Sequence, residues 1–166
     1  MQARYPAAST EGHVLYVSVR SQRMYFVEHG RMKAEYVIST ARNGLGETWN
    51  SERTPQGLHR VVRKYGSGVP AFGIFKARQY TGQVAAPGAH DDLVTSRILW
   101  LGGLEPGVNA GGNVDSMERS IYIHGTADEA SLGTPSSHGC IRMRNRDVIA
   151  LYDHIPTGTL VVILDN

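Results

Sequence analysis

One stretch of this chain gathers side chains that could make and break a covalent bond: "TPSSHGCIRM", residues 134–143. It holds the single cysteine, Cys140, with His138 two positions before it, Gly139 between them and Arg142 two positions after. A thiol attacks as its thiolate, and an ordinary cysteine, with a pKa of about 8.5, is mostly protonated at neutral pH. A nucleophilic role therefore needs a base or a positive neighbour. In an extended segment His138 would share a face with Cys140 but stand about 6.5 Å away, too far for a hydrogen bond without a bend. His124 ends the stretch "SIYIH", sixteen residues upstream. Two paired strands would bring it beside the thiol, and catalytic bases are usually close in space rather than in sequence.

The glycines have their own chemistry. Gly139 lets the backbone take unusual dihedrals and lets a substrate come close. The amides of Gly139 and Cys140 could then face a developing oxyanion. The carbonyl of Gly125 could hold the His124 ring in one tautomer, in place of a carboxylate. Plainer readings stand beside these. A lone cysteine is often a small buried hydrophobe. His138 could be structural, and Arg142, Arg144 and Arg146 could be a solvated face. Zinc held by Cys140, His124 and His138 is conceivable, although structural zinc sites usually use more than one cysteine with C-x-x-C spacing.

What must position these residues is a chain of 166 residues, the length of one domain, with no linker or internal repeat. We therefore read residues 1–166 as a single domain. Hydrophobic residues make up 41%, enough for a core, and the longest apolar stretches are short, such as "LVVIL" at 160–164. Nothing approaches the roughly 18 apolar residues that would span a bilayer. Seventeen basic and fifteen acidic side chains leave a net charge of +2. That suits an acidic substrate and lacks the dense basic stripe of a nucleic-acid binder. One cysteine forms no internal disulfide. The stretch "MQARYPAAST" has no apolar h-region, so no signal peptide is visible.

From His13 to Thr40 the pattern alternates with period two, and "SQ" (21–22) and "HGR" (29–31) supply turns, which predicts antiparallel strands. Residues 41–57 read as a loop and 58–65 as a further strand. The segment 82–118 is the least regular, with long Gly-rich stretches around one apolar strand, "RILWL". Loops of that length in a small domain are often lids or binding loops, or equally a surface excursion. After Cys140 a helix is expected, with Asn145 as cap and Asp147 in the first turn. Val148, Leu151, Tyr152 and Ile155 lie at i, i+3, i+4, i+7, and Pro156 and Gly158 end it. "TLVVIL" closes the chain as a strand. Strands dominate, with one helix.

The pair "IYIHGT" (121–126) and "SHGCIRM" (137–143), with "TPQG" (54–57), resembles the signature of the L,D-transpeptidase catalytic domain, the YkuD-like family. The resemblance covers about residues 13–164. It implies a mainly β fold: a β-sandwich with one helix packed against it and a long loop or lid insertion. It implies that Cys140 is the nucleophile, His124 the general base and Gly125 the group orienting that base. His138, Gly139 and Cys140 would line the oxyanion hole, and Ser137 and Arg142 would lie near the substrate, the arginine gripping a carboxylate. The implied substrates are peptidoglycan stem peptides, joined by 3→3 cross-links through a thioester with release of D-alanine, without metal or cofactor. An L,D-carboxypeptidase using water as acceptor, or an inactive wall-binding module, are the alternatives. Carbapenem-type β-lactams are the implied inhibitors, and the periplasm or cell envelope the implied location.

Overall fold

The computed structural model describes Tyr5, Ala8 and residues 10–166. The expectation about the N-terminal stretch 1–10 falls mostly outside the described residues. β1 (His13–Ser18), β2 (Arg23–Glu28) and β3 (Arg31–Ser39) form the antiparallel run that the alternation predicts. His29 and Gly30, which join β2 to β3, both have positive φ, 48° and 76°. That pair matches a two-residue hairpin turn whose twist follows the strands.

The chain continues through β4 (Gly57–Tyr65), β5 (Gly73–Lys76), β6 (Gln79–Val84), β7 (Val94–Gly103), β8 (Tyr122–Gly125), β9 (Ile141–Met143), α1 (Asn145–His154) and β10 (Leu160–Leu164). The strand order β4-β10-β1-β2-β3-β9-β8-β7 closes when β7 pairs back onto β4. The sandwich expected from the resemblance is thus one sheet curled until its edges meet. Closure pairs the edges of β4 and β7 that would otherwise invite aggregation, and leaves β6 as a free edge. β7 makes this possible by pairing with β4, β8 and the outlying β5–β6 hairpin. A bulge between Thr95 and Ile98, with Ser96 at φ 67°, redirects β7 between these partners.

Alternation along β1 and β10 sorts their side chains into two cores, and a third cluster gathers Phe75, Ile98 and Tyr122, with Cys140 against it. Leu15, Val17, Val161 and Ile163 face the interior with Met24, Ile38, Leu99, Ile123 and Ile141. Val14, Tyr16, Leu160 and Val162 face the other way, against Ala8 and Tyr5. β1 and β10 are parallel and buried on both faces, which is why "LVVIL" reads as a continuous apolar run. α1 lays Val148, Leu151 and Ile155 onto the inner core. Each such side chain contributes about 1.5–3 kcal/mol of burial.

Two sequence expectations are refined. Asn145 is the first helical residue, not the cap; Arg144 precedes the helix and makes no side-chain cap bond. The segment 82–118 is also more ordered than its Gly-rich composition suggests, because it contains all of β7 between two loops. The β5–β6 hairpin has no counterpart in the sequence reading. Among the described residues no helix is long and apolar enough to cross a membrane.

Candidate active site

β8 and β9 run parallel, with His124 opposite Arg142 and Gly125 opposite Met143. Two residues before His124 and Arg142 stand Tyr122, the first residue of β8, and Cys140, just ahead of β9, so the thiol lies beside the start of β8. The half-buried Cys140 Sγ accepts the Tyr122 backbone N–H at 3.3 Å and donates to the Ser120 carbonyl at 3.4 Å. His124 is 2% exposed. Its Nδ1 lies 2.6 Å from the Gly125 carbonyl. A carbonyl only accepts, so Nδ1 carries the proton and Nε2 the lone pair. Nε2 makes no hydrogen bond among the described residues. The ring and Sγ line one open cavity of about 440 Å³, with Ser137, His138 and Arg119 on its walls. The expected histidine–thiol pair therefore shares a cavity without a direct hydrogen bond. Such bonds are often long until substrate arrives.

The loop before Cys140 is held from several sides. Thr54 of "TPQG" donates its hydroxyl to the Gly139 carbonyl at 2.9 Å and accepts the Ala41 N–H at 2.9 Å. The Ser137 hydroxyl donates to the Cys140 carbonyl at 2.6 Å and accepts the Gly139 N–H at 3.2 Å. Gly139 has φ 135°, where a side chain would be strained. Gly125 is hemmed in differently: a Cβ there would stand 2.7 Å from both Asn145 Oδ1 and the Thr95 carbonyl. Asn145 Oδ1 takes the hydroxyls of Thr95 and Ser96 at 2.6 and 2.5 Å, and its Nδ2 donates to the Thr126 carbonyl and to Glu129. The buried start of α1 thus buttresses the carbonyl that fixes the imidazole.

Burial favours the neutral form of both groups. Burial pushes the Cys140 thiol up to about 11; the Tyr122 N–H counteracts it, Asp92 adds to it, and Arg142 and Arg119 oppose it. Burial takes His124 down to about 4, with the Gly125 bond opposing and Arg142 adding to the fall. These shifts favour a thiol beside an unprotonated imidazole over a standing ion pair.

The remaining expected residues are placed as follows. Ser137 lies on the cavity wall, but both of its hydroxyl bonds are internal to the loop. The Gly139 N–H, expected in the oxyanion hole, is taken by Ser137. His138 is on the wall with Nδ1 2.6 Å from Asp92 Oδ2. Arg142, expected beside the substrate, has a side chain only 7% exposed and paired with the Asp92 carboxylate. Burial alone would raise the Asp92 pKa, but Arg142 and His138 outweigh it and hold the carboxylate below its usual range.

Sequence reasoning missed Asp92, Arg119 and the brace formed by Asn145. Asp92 sits in the irregular loop before β7 and Arg119 five residues before His124. Neither position has a periodic or motif signal. In the sequence "TPQG" is a likeness only; its work, holding Gly139 through Thr54, is visible in three dimensions alone.

A model of the L,D-transpeptidase catalytic domain matches residues 12–163. The chain is 49% identical over 131 residues to the probable L,D-transpeptidase ErfK/SrfK of Escherichia coli K12, and 44% identical over 132 residues to the probable L,D-transpeptidase YbiS of the same organism. Each match covers 79% of this chain and 32% of the relative, so the chain spans about a third of their length. L,D-transpeptidase 3 from Mycobacterium tuberculosis, solved with a faropenem-derived adduct, aligns with a TM-score of 0.60 at 17% identity, over 93% of this chain and 60% of that one. LdtMt1, solved in complex with imipenem, aligns with a TM-score of 0.57 at 15% identity, over 92% of this chain and 59% of that one.

Proposed function

The chain belongs to the L,D-transpeptidase catalytic-domain family, and from that premise we infer that it is a cysteine acyltransferase acting on peptidoglycan stem peptides in the cell envelope. The observation that carries this reading is the shared cavity, in which a neutral thiol meets an imidazole whose tautomer leaves Nε2 as the base. The donor is a tetrapeptide stem. His124 Nε2 takes the thiol proton as Sγ attacks the carbonyl of the third residue, a diamino acid. The Tyr122 N–H, already on Sγ, steadies the charge that builds there. The developing oxyanion meets backbone amides of the 138–140 loop; with the Gly139 N–H turned to Ser137, we assign this to His138 and Cys140. His124 returns the proton to the leaving amine, D-alanine departs and a thioester remains. The side-chain amine of a second stem then attacks, its proton passes through His124 to the sulfur, and a 3→3 cross-link forms. Every step calls on side chains and backbone only.

Incubation with a disaccharide-tetrapeptide followed by intact-mass analysis tests the reading. The expected products are an acyl adduct on Cys140, free D-alanine and cross-linked dimers. Tripeptide monomers alone would make the chain an L,D-carboxypeptidase. No adduct and no turnover would leave an inactive wall-binding module. Carbapenems, which resemble the acyl donor, are expected to label the same sulfur.

A further inference from the structure

The loop between β6 and β7 sets Asp92 against residues on either side of Cys140. One carboxylate oxygen accepts from Arg142 Nη2 and the other from His138 Nδ1, the latter at 2.6 Å. Resting on the reading of Cys140 as the nucleophile, we propose that Asp92 is a positioning residue: by engaging both neighbours it masks the charge of Arg142 beside the sulfur, so that Cys140 stays a thiol until His124 draws its proton off.

The loop is tied down for this contact. The Gly88 N–H donates to the Ala127 carbonyl at 2.9 Å, and His90 Nδ1 lies 3.3 Å from the Asp128 carboxylate. Both ties fasten the chain just ahead of Asp92 to the segment after β8. The Arg142 side chain needs the partner. It is 7% exposed, whereas Asp92 is half-exposed. Its Nη1 donates to the Ser136 hydroxyl at 3.4 Å, and its buried Nε meets no hydrogen-bond partner among the described residues. Asp92 is the anion paired with it. A buried guanidinium without a counter-charge is costly.

The groups around the sulfur come from four elements. Arg119 belongs to the loop before β8, His124 to β8, His138 to the loop before Cys140 and Arg142 to β9. Asp92 is the one carboxylate among the described residues that line the thiol cavity. Burial chiefly keeps the proton on the sulfur; of the charged groups, Asp92 acts in the same sense and both arginines in the opposite one. Away from bulk water such charges are weakly screened. With Asp92 in place the thiolate gains little from Arg142. Without it, a bare guanidinium stabilises the anion at rest. Thiolates are the form that oxidants and stray electrophiles attack. Held as a thiol, Cys140 is spared these reactions and turns nucleophilic only when a seated donor carbonyl lets His124 take the proton.

Alkylation of the folded protein at neutral pH tests this, with uncharged iodoacetamide and anionic iodoacetate as probes. Asp92→Asn should speed iodoacetamide about three- to tenfold: the thiolate fraction grows as the thiol pKa falls, and lower intrinsic nucleophilicity returns part of the gain. Iodoacetate should gain more than iodoacetamide, because the bare guanidinium attracts it. Asp92→Glu keeps the carboxylate and should stay within about twofold of the unmutated chain. Arg142→Gln should act in the opposite sense and slow iodoacetamide at least about twofold, since the carboxylate then stands uncancelled near the sulfur. A merely structural contact predicts otherwise: a loosened loop would speed alkylation in both variants and would not favour the anionic reagent. Unchanged or slower alkylation of Asp92→Asn, no added gain for iodoacetate, Asp92→Glu as fast as Asp92→Asn, or acceleration in Arg142→Gln would each overturn the proposal. Arg142→Gln removes a buried charge and leaves a half-exposed one to water, so where Asp92→Asn fails to fold, the sign of the Arg142→Gln effect decides alone. Failure of the transpeptidase reading shows separately, as absence of an acyl adduct on the unmutated chain.

Discussion

Two histidines in this molecule share nearly the same surroundings and differ in one bond. His59 is fully buried, with Nδ1 3.1 Å from the Gly57 carbonyl; His124 is 2% exposed, with Nδ1 2.6 Å from the Gly125 carbonyl. Burial takes both down to about 4. The difference is at Nε2. In His59 it meets the buried Ser116 hydroxyl at 2.9 Å, which ties the loop after β7 to β4. In His124 it is left to a cavity that also holds a thiol. A depressed pKa thus does not by itself mark a base. What sets His124 apart is a fixed tautomer whose lone pair is left to a cavity that a thiol also lines, the arrangement the proposed base requires.

Changing the two sides of this comparison should have opposite effects. Cys140→Ala should abolish the acyl adduct seen by intact mass while leaving the melting curve in place; residual adduct would remove the thiol from the mechanism. His124→Ala should slow acylation by roughly 10²–10⁴-fold, the usual worth of a positioned base. Equal activity with and without that ring would erase the distinction from His59. His59→Ala should leave the rate per folded molecule near normal but cost about 2–4 kcal/mol, because Ser116 and the Gly57 carbonyl lose their partner inside the core. Thermal unfolding would show this as a fall of several degrees.

Acid should report both rings together. Each imidazole binds a proton near pH 6.5 when unfolded and only near 4 when folded. The unfolded chain therefore holds more protons between these values, and stability falls as the pH drops from 6.5 to 4. The slope approaches about 2.7 kcal/mol per pH unit for two groups, and His59→Gln should halve it. Denaturant midpoints at stepped pH would measure this; an unchanged slope would mean the ring at position 59 is not held neutral. The thiol gives a gentler signal. With its pKa pushed up to about 11, alkylation by iodoacetamide should rise about tenfold per pH unit from 7 to 10. A plateau near neutrality would mean a standing ion pair instead. Smallest of all, Thr54→Val should slow acylation about three- to tenfold by loosening Gly139, an effect Thr54→Ser should reverse.

The strands and the helix were legible because period-two and 3.6-residue patterns are local. The same holds for β8 and for the segment around Cys140, where a strand ending on histidine and a glycine beside cysteine announce themselves. The turn at His29-Gly30 also declares itself. Other features depend on contacts between distant residues. Asp92 reaches Arg142 across fifty positions and Thr54 reaches Gly139 across eighty-five. Asn145 looked like a cap because its type favours that place, but Thr95 and Ser96 take its side chain into the core instead. The β5–β6 hairpin is not legible in the sequence because all of β6 is exposed, so no apolar face leaves its rhythm there.

The place of β10 has a consequence for how the molecule is made. Residues 160–164 form the stave between β4 and β1. A ribosome-bound chain that has not yet released them presents two bare strand edges and an unclosed wall. The contacts of β10 join residues about a hundred or more positions apart, such as Arg60 with Leu160 and Val14 with Leu160, the kind of pairing that forms slowly. The pocket is therefore shaped only after residues 160–164 have emerged, and a growing chain carries Cys140 before it has the closed wall around it.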